Sequence, residues 1–316
     1  MGIRVDRNRC SDATRKPKAP NAFSLVEVLM ALALAGFVVG GIMKAFIAQS
    51  HSYKAQIMTA SLQQNLRAAM NVLARDILLA GYYTSMDPRI YPACVDWNPK
   101  NPGREDLLPY IHGVDNINGI LHYRNGTDSI VLVKASDDGG RLNDTEYGQS
   151  GGSSIKVDNL DLDEDGDVDL TDTARRFGVL VKSDYTVGQL FEIFQINNGE
   201  IAVKYPLSAT YLENDMIARA DVVIYRVDDA NPTFSRSVLA RKNVGNGDQF
   251  QVVAEDIVDL QCVYILGNGS EVTDPHGCES RIRAVKVCLR GEVDVPRQGK
   301  IQRVLESVVM VRNAPR

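Results

Sequence analysis

The sequence predicts an α+β protein, in which one long N-terminal α-helix packs on a globular head of antiparallel β-sheet. Two observations support this prediction. No proline occurs from Phe23 to Met86, and within this stretch an apolar run is followed by apolar residues at helical spacing. After Gly81 the pattern changes to short apolar runs separated by loops rich in Gly, Asn, Asp and Ser, which is typical of strands joined by turns.

The first half of the predicted helix is apolar enough to cross a membrane. The run Val28–Met43 lies between Glu27 and Lys44. With the apolar residues from Phe23 onward, it approaches the roughly 20 apolar positions that a bilayer requires. We therefore predict a membrane-spanning helix over residues 23–50.

The second half of the helix is predicted to be amphipathic, over residues 51–82. Its apolar residues recur at intervals of three and four, at Leu62, Leu66, Ala69, Leu73 and Ile77. Gly81 follows the last of them and is expected to end the helix, because glycine tolerates the left-handed conformation found there. A single helix from Phe23 to Ala80 would extend about 87 Å at 1.5 Å per residue.

The remaining chain, residues 83–316, is predicted to form the β-rich head. The candidate strands are Ser129–Lys134, Gly178–Lys182, Leu190–Gln195, Ile201–Tyr205, Asp221–Val227, Phe250–Val253, Ile257–Leu266, Ile282–Arg290 and Val304–Val311. Asn197-Asn198-Gly199 separates two of them and predicts a tight hairpin turn. Most connections are too short for helical crossovers, so we expect antiparallel pairing.

The charge distribution divides the chain at Ala22. The first 22 residues carry a net charge of +4 and the whole chain carries −5, so the remainder carries −9. A basic segment before an apolar helix is typical of a cytoplasmic leader, here residues 1–22, ahead of an exported domain. The acidic body argues against a nucleic-acid partner, because phosphates need a positive surface.

The five cysteines are consistent with an exported domain. Removing the leader removes Cys10 and leaves Cys94, Cys262, Cys278 and Cys288. An even number in an exported domain indicates disulfides, with three pairings open. Buried free thiols are the alternative for Cys262 and Cys288, which both lie in predicted strands.

Glu27 is an isolated acid near the start of the apolar run. A carboxylate inside a membrane costs roughly 2.5–3.5 kcal/mol, so it should have a partner. Cleavage after Ala22 would create a positive α-amino group at Phe23, one helical turn away, on the same chain or on a neighbouring subunit. The alternative is that Glu27 extends to the membrane interface and has no specific partner.

The residues around Glu27 are similar to those of a known protein family. Ala22-Phe23-Ser24-Leu25-Val26-Glu27-Val28-Leu29 resembles the class III signal of type IV prepilins and of type II secretion pseudopilins. The resemblance implies a pilin-like fold, cleavage before Phe23 by a prepilin peptidase, methylation of the new amine, and a role for Glu27 in assembly. It also implies that other pilins and an inner-membrane assembly platform are partners. Ala22 stands where the family usually has Gly, which predicts slower processing.

Three further stretches are similar to minor pilins of the PilW kind, with the J-type pseudopilins of type II secretion as relatives. They are Leu73–Tyr82, Ile257–Gln261 and Val308–Asn313. The resemblance is strong from Pro20 to Tyr82, weaker near the end of the chain, and absent over residues 87–184.

An acidic loop over residues 161–172 has the spacing of an EF-hand. Carboxylates fall at loop positions 1, 3, 5, 7, 9 and 12, at Asp161, Asp163, Asp165, Asp167, Asp169 and Asp172. Gly166 occupies position 6, where the EF-hand loop turns sharply. We predict that Ca²⁺ is bound by the side chains of positions 1, 3, 5 and 12, the carbonyl of position 7, and position 9 through water. The alternative is a solvated acidic loop without an ion.

The sequence lacks the motifs of common enzyme classes, and we expect no enzymatic activity. It has no GxSxG, no Walker A motif and no GxGxxG after a strand, and its four histidines lack metal-ligand spacing. Three functions remain. The first is a minor pilin that is anchored in the inner membrane and then incorporated into a surface pilus. The others are a minor pseudopilin of type II secretion and a membrane-anchored, calcium-dependent adhesin.

Overall fold

The computed structural model describes residues 24–81, 110–119, 123–163, 166, 168–171, 177–229, 236–244, 249–278 and 281–312. The chain divides after Tyr53 into two units. We name them the N-terminal unit, described from residue 24 to residue 53, and the C-terminal unit, residues 54–316. One long helix and antiparallel sheets make this an α+β protein, as the sequence predicts.

The helix α1 runs from Leu25 to Leu79 and contains 55 residues. The expected start, Phe23, lies outside the described residues. Ser24 caps the helix, because its Oγ accepts a hydrogen bond from the Glu27 backbone N–H at 3.3 Å. Gly81 has a φ of +75°, which confirms that glycine ends the helix in the left-handed conformation.

The N-terminal unit consists of the apolar start of α1. Residues 24–49 are all exposed, and the exposed side chains include Leu29, Leu34 and Phe37. By its length and composition this part of α1 can cross a membrane. An apolar helix that is exposed on every side is typical of a segment surrounded by lipid or by other helices.

Fourteen strands lie in the described part of the C-terminal unit. They are β1 (Ile111–Ile117), β2 (Thr127–Arg141), β3 (Tyr147–Gly148), β4 (Ser154–Lys156), β5 (Phe177–Val181), β6 (Gly188–Asn197), β7 (Glu200–Val203), β8 (Met216–Asp228), β9 (Val238–Val244), β10 (Gln251–Glu255), β11 (Ile257–Leu266), β12 (Glu271–Val272), β13 (Ile282–Val295) and β14 (Gly299–Met310). They form two antiparallel sheets. The smaller sheet has the order β12-β11-β13-β14.

The larger sheet is organised around β8. Its path is β1-β2-β8-β5-β6-β7-β4-β3, and β9 and β10 join it beside β8. One edge of β8 pairs with β2 over most of its length. The other edge pairs first with β5, through residues 216–219, and then with β9, through residues 222–228. The thirteen residues of β8 therefore connect three neighbouring strands.

The amphipathic half of α1 packs into the main core of the C-terminal unit. Its predicted apolar stripe is buried, at Leu62, Leu66, Ala69, Leu73 and Ile77. A Cβ on Gly291 of β13 would lie 2.6 Å from the Leu62 side chain, so glycine at this position lets Leu62 approach β13 closely without shifting. A second, smaller core lies within the larger sheet, and Leu170 belongs to it.

The predicted strands are confirmed, with several longer than expected. The turn between β6 and β7 is also confirmed, because Asn198 and Gly199 have φ values of +48° and +79°, as a type I′ hairpin requires. The sequence pattern did not predict β1, β3, β4, β9 and β12. Three of these strands have two or three residues, too few for an alternating pattern, and β9 carries Arg241, Lys242 and Asn243 in succession.

Candidate functional site

The acidic loop brings three carboxylates together. Each of Asp161, Asp163 and Asp169 offers a carboxylate oxygen, and these oxygens all lie within 4.8 Å of one another. Asp169 is buried, Asp161 is half-buried and Asp163 is exposed. Three negative charges at this separation repel one another, and a bound cation would offset that repulsion.

Local hydrogen bonds shape the loop around these carboxylates. Asp161 Oδ2 accepts a hydrogen bond from the Gly166 N–H at 2.9 Å, which closes the first half of the loop. Gly166 has a φ of +99°, a conformation that favours glycine. Asp169 Oδ2 accepts a hydrogen bond from the Leu162 N–H at 2.8 Å, so the buried carboxylate also helps to order the loop.

The loop is anchored to the smaller core. The Asp169 N–H donates to the Leu160 carbonyl at 2.9 Å, and Leu170 is fully buried. Leu160 and Leu162 pack against the same core. A Cβ on Gly140 of β2 would lie 2.2 Å from the Leu162 carbonyl oxygen, so the loop backbone lies directly on the sheet. The three carboxylates are thus held by a packed segment.

The chemistry of the donors fits a hard cation. Carboxylate oxygens are the ligands of Ca²⁺ and Mg²⁺, whereas zinc sites favour nitrogen and sulfur. Of the six predicted ligands, the structure brings together those at positions 1, 3 and 9. Asp165, Asp167 and Asp172, at positions 5, 7 and 12, lie outside the described residues.

The processing residues Ala22 and Phe23 also lie outside the described residues, so the structure bears only on Glu27. Glu27 is exposed in the first turn of α1, and its N–H donates to the Ser24 carbonyl at 3.0 Å as well as to the Ser24 side chain. An acid in the first turn interacts favourably with the helix dipole. Helix capping is therefore a local role for the pair Ser24 and Glu27.

A buried ionic cluster around Asp76 was not anticipated from the sequence. Asp76 is 5% exposed and accepts hydrogen bonds from Lys134 Nζ at 2.7 Å, Tyr225 Oη at 2.5 Å and Arg241 Nε at 3.1 Å. These partners belong to β2, β8 and β9. The cluster therefore links α1 to the three central strands of the larger sheet.

The partners of Asp76 keep it ionised. Burial alone would raise the pKa of Asp76, but the hydrogen bonds from Lys134 and Tyr225 and the charges of Lys134 and Arg241 lower that pKa below its ordinary value. One sequence signal could have revealed the cluster. Asp76 lies three residues after Leu73, on the apolar stripe, where a charge must have a buried partner.

A second buried acid lies in β2. Asp128 is 3% exposed, and its two carboxylate oxygens accept hydrogen bonds from the Asn116 N–H at 3.0 Å and the Cys262 N–H at 2.8 Å. Burial raises the pKa of Asp128 to about 6, and the charge of Asp115 adds to this effect. Asp128 connects β2 to β11 of the smaller sheet, which indicates a structural role.

No disulfide joins the described cysteines, Cys262, Cys278 and Cys288, to one another, and Cys94 lies outside the described residues. In the pairing of β11 with β13, Cys288 lies opposite Gln261, so its side chain points to the face opposite that of Cys262. These two residues are therefore not arranged to form a disulfide with each other. Burial raises the pKa of the Cys262 thiol, which makes it unreactive. The pairings that involve Cys94 stay a prediction.

Comparison of the chain with protein-family models, with curated proteins and with solved structures finds no match in any of the three. The resemblance to pilins therefore depends on the residues of this chain alone.

Proposed function

We propose that this chain is a minor pilin of a type IV pilus, a structural subunit that supports pilus assembly and has no catalytic role. One observation supports this most directly. The segment Ala22-Phe23-Ser24-Leu25-Val26-Glu27 continues into an exposed apolar helix, and the second half of that helix packs against the β-rich part of the C-terminal unit. This combination suits a subunit that is first anchored in the inner membrane and then packed into a filament through its helix.

A minor pilin meets its partners in a fixed order. A prepilin peptidase removes residues 1–22 and methylates Phe23, and the assembly platform then transfers the subunit from the membrane to the pilus. The C-terminal unit faces the periplasm before assembly and the cell exterior afterwards. Glu27 pairs with the α-amino group of a neighbouring pilin, because an isolated carboxylate in an apolar helix bundle needs a positive partner.

The second candidate, a J-type minor pseudopilin of type II secretion, has the same N-terminal signal. We expect an in-frame deletion strain to lose sheared surface pili and to keep its secreted proteome, with pili restored by a complementing copy. Intact pili with a failed secretome would instead assign the chain to type II secretion. No change in either would favour the third candidate, a membrane-anchored adhesin.

Glu27→Ala tests the assembly role. We expect cleavage before Phe23 to proceed and incorporation into sheared filaments to fall at least tenfold, as measured by immunoblotting of membrane and filament fractions. Ser24→Ala is the matched control, because it removes the helix cap and keeps the carboxylate. If both variants lose incorporation equally, helix capping explains the effect and the proposed pairing with a neighbouring amine is wrong.

We further propose that the acidic loop binds Ca²⁺. Asp161 and Asp163 would supply carboxylate oxygens directly and Asp169 through water, and the ion would hold the loop against the smaller core. At a calcium concentration 100 times the Kd, binding stabilises the folded state by about 2.7 kcal/mol, which corresponds to a rise in Tm of roughly 5–10 °C. We expect this rise in a soluble fragment of residues 54–316, which contains both hydrophobic cores, and we expect EDTA to reverse it.

Two control variants test whether the acidic loop, and not another acidic part of the surface, causes the rise in Tm with calcium. Asp161→Asn combined with Asp163→Asn should abolish the rise in Tm. Asp144→Asn, which changes an exposed aspartate outside the loop, should leave it intact. An unchanged Tm for the wild-type fragment across millimolar calcium would show that the loop is only a solvated acidic segment.

A further inference from the structure

The last strand of the smaller sheet has a long open edge. β14 pairs with β13 through twelve consecutive residue pairs, from Gly299 to Met310, with no bulge and no proline. Within the described parts of the chain, no strand pairs with its other edge. Twelve residues extend about 40 Å, so a long row of backbone N–H and C=O groups is available to another extended chain.

Both faces of β14 have apolar surface that a further strand would cover. On the outer face, Val304, Val308 and Met310 are 55–61% exposed. On the inner face, Ile301 and Leu305 pack against the main core but stay half-buried, because the sheet ends at this strand. An open, regular edge with apolar residues on both sides is a site for strand addition.

We propose that β14 pairs antiparallel with β14 of a second copy of this chain, in a register centred on Val304. In this register Val304 of one copy lies opposite Val304 of the other. The Gln302 amide of each copy lies opposite the Glu306 carboxylate of the other, so this pair forms twice. Lys300, which contacts Glu292 of β13 at 2.6 Å within the chain, then also lies diagonally to Glu306 of the second copy, within reach of its long side chain. The sequence of β14 is therefore complementary to itself.

Charge disfavours two other registers. Centring the pair on Arg303 would place two arginines directly opposite, and centring it on Glu306 would place two carboxylates directly opposite, which is destabilising. With Val304 at the centre, no like charges lie directly opposite. The nearest like charges, the two Arg303 side chains, lie diagonally at about 7–8 Å and are exposed to solvent. This pairing does not depend on the proposed role in a pilus.

Disulfide trapping tests the register. Val304→Cys in the full chain, purified in detergent and oxidised with copper phenanthroline, should form a disulfide-linked dimer that reductant reverses. Mass spectrometry should map the bond to position 304 of both copies. Val252→Cys is the matched control, because Val252 is an exposed valine on β10, at another sheet edge. If two chains cross-link only because they occupy the same detergent micelle, this variant should cross-link as well. Equal cross-linking of the two variants would overturn the proposal.

A charge reversal tests the same interface without oxidation. Glu306→Lys places a lysine near Lys300 of the second copy, twice by symmetry, so we expect self-association in sedimentation equilibrium to weaken about tenfold. Glu200→Lys reverses an exposed glutamate on β7 and should leave self-association unchanged. A wild-type chain that stays monomeric at all concentrations, with no cross-link at position 304, would exclude a second copy and leave the edge to a different protein.

Discussion

Replacing Asp76 by alanine should lower the free energy of unfolding of the C-terminal unit by about 3–5 kcal/mol, the usual result of removing one member of a buried ion pair. The variant leaves the buried Tyr225 hydroxyl and the partly buried Lys134 and Arg241 without their shared acceptor. Urea denaturation of the fragment of residues 54–316, followed by circular dichroism, measures the change.

Two further variants show whether charge or volume causes this loss. Arg75→Ala, at the exposed neighbouring position of α1, should change stability by less than about 0.5 kcal/mol. Replacing Asp76, Lys134 and Arg241 together by apolar residues should recover much of the loss, because no unpaired charge then remains buried. A triple variant that is less stable than Asp76→Ala would contradict the view that unpaired charges dominate the effect.

Acidification from pH 7.5 to pH 4 should stabilise the C-terminal unit through Asp128 by about 2.5 kcal/mol, most of a full contribution of about 3 kcal/mol. Burial raises the pKa of Asp128 from 3.8 to about 6, and each pKa unit corresponds to about 1.4 kcal/mol. The folded state binds this proton more tightly than the unfolded state. The contribution is therefore complete below pH 3.8 and is lost as the pH rises through 6.

The variant Asp128→Asn isolates this contribution, because it removes the titrating group and preserves the shape of the side chain. The difference in unfolding free energy between wild type and variant should depend on pH between about 4 and 7.5, and most steeply below about pH 6. Asp76 has a lowered pKa, so its contribution is retained above its unfolded-state pKa and is lost at more acidic pH. A difference that stays constant across this range would refute the raised pKa.

The sequence predicted those parts of the fold that local patterns determine. The stripe from Leu62 to Ile77 identified the buried face of α1, and Gly81 identified its end. The turn at Asn198 and Gly199 identified the β6–β7 hairpin. In each case the decisive residues lie within a few positions of one another, so helical periodicity or turn chemistry is sufficient.

Contacts between distant parts of the chain could not be predicted in the same way. Asp76 is separated from Lys134, Tyr225 and Arg241 by 58, 149 and 165 residues, and no local pattern specifies such partners. In the acidic loop the spacing predicted which acids converge, and Asp161, Asp163 and Asp169 do so. Spacing alone did not show that Asp169 would be buried, because its burial depends on the neighbouring core.

The central position of β8 has a consequence for biosynthesis. β2 ends at Arg141 and β8 begins at Met216, so the 74 residues between them must be made before the two strands can pair. At roughly 5–20 residues per second, this takes about 4–15 seconds. During that time the growing chain presents one unpaired edge of β2, which contains the apolar run of residues 130–133. This edge of β2 stays open to pairing with another chain until β8 has been made and pairs with it.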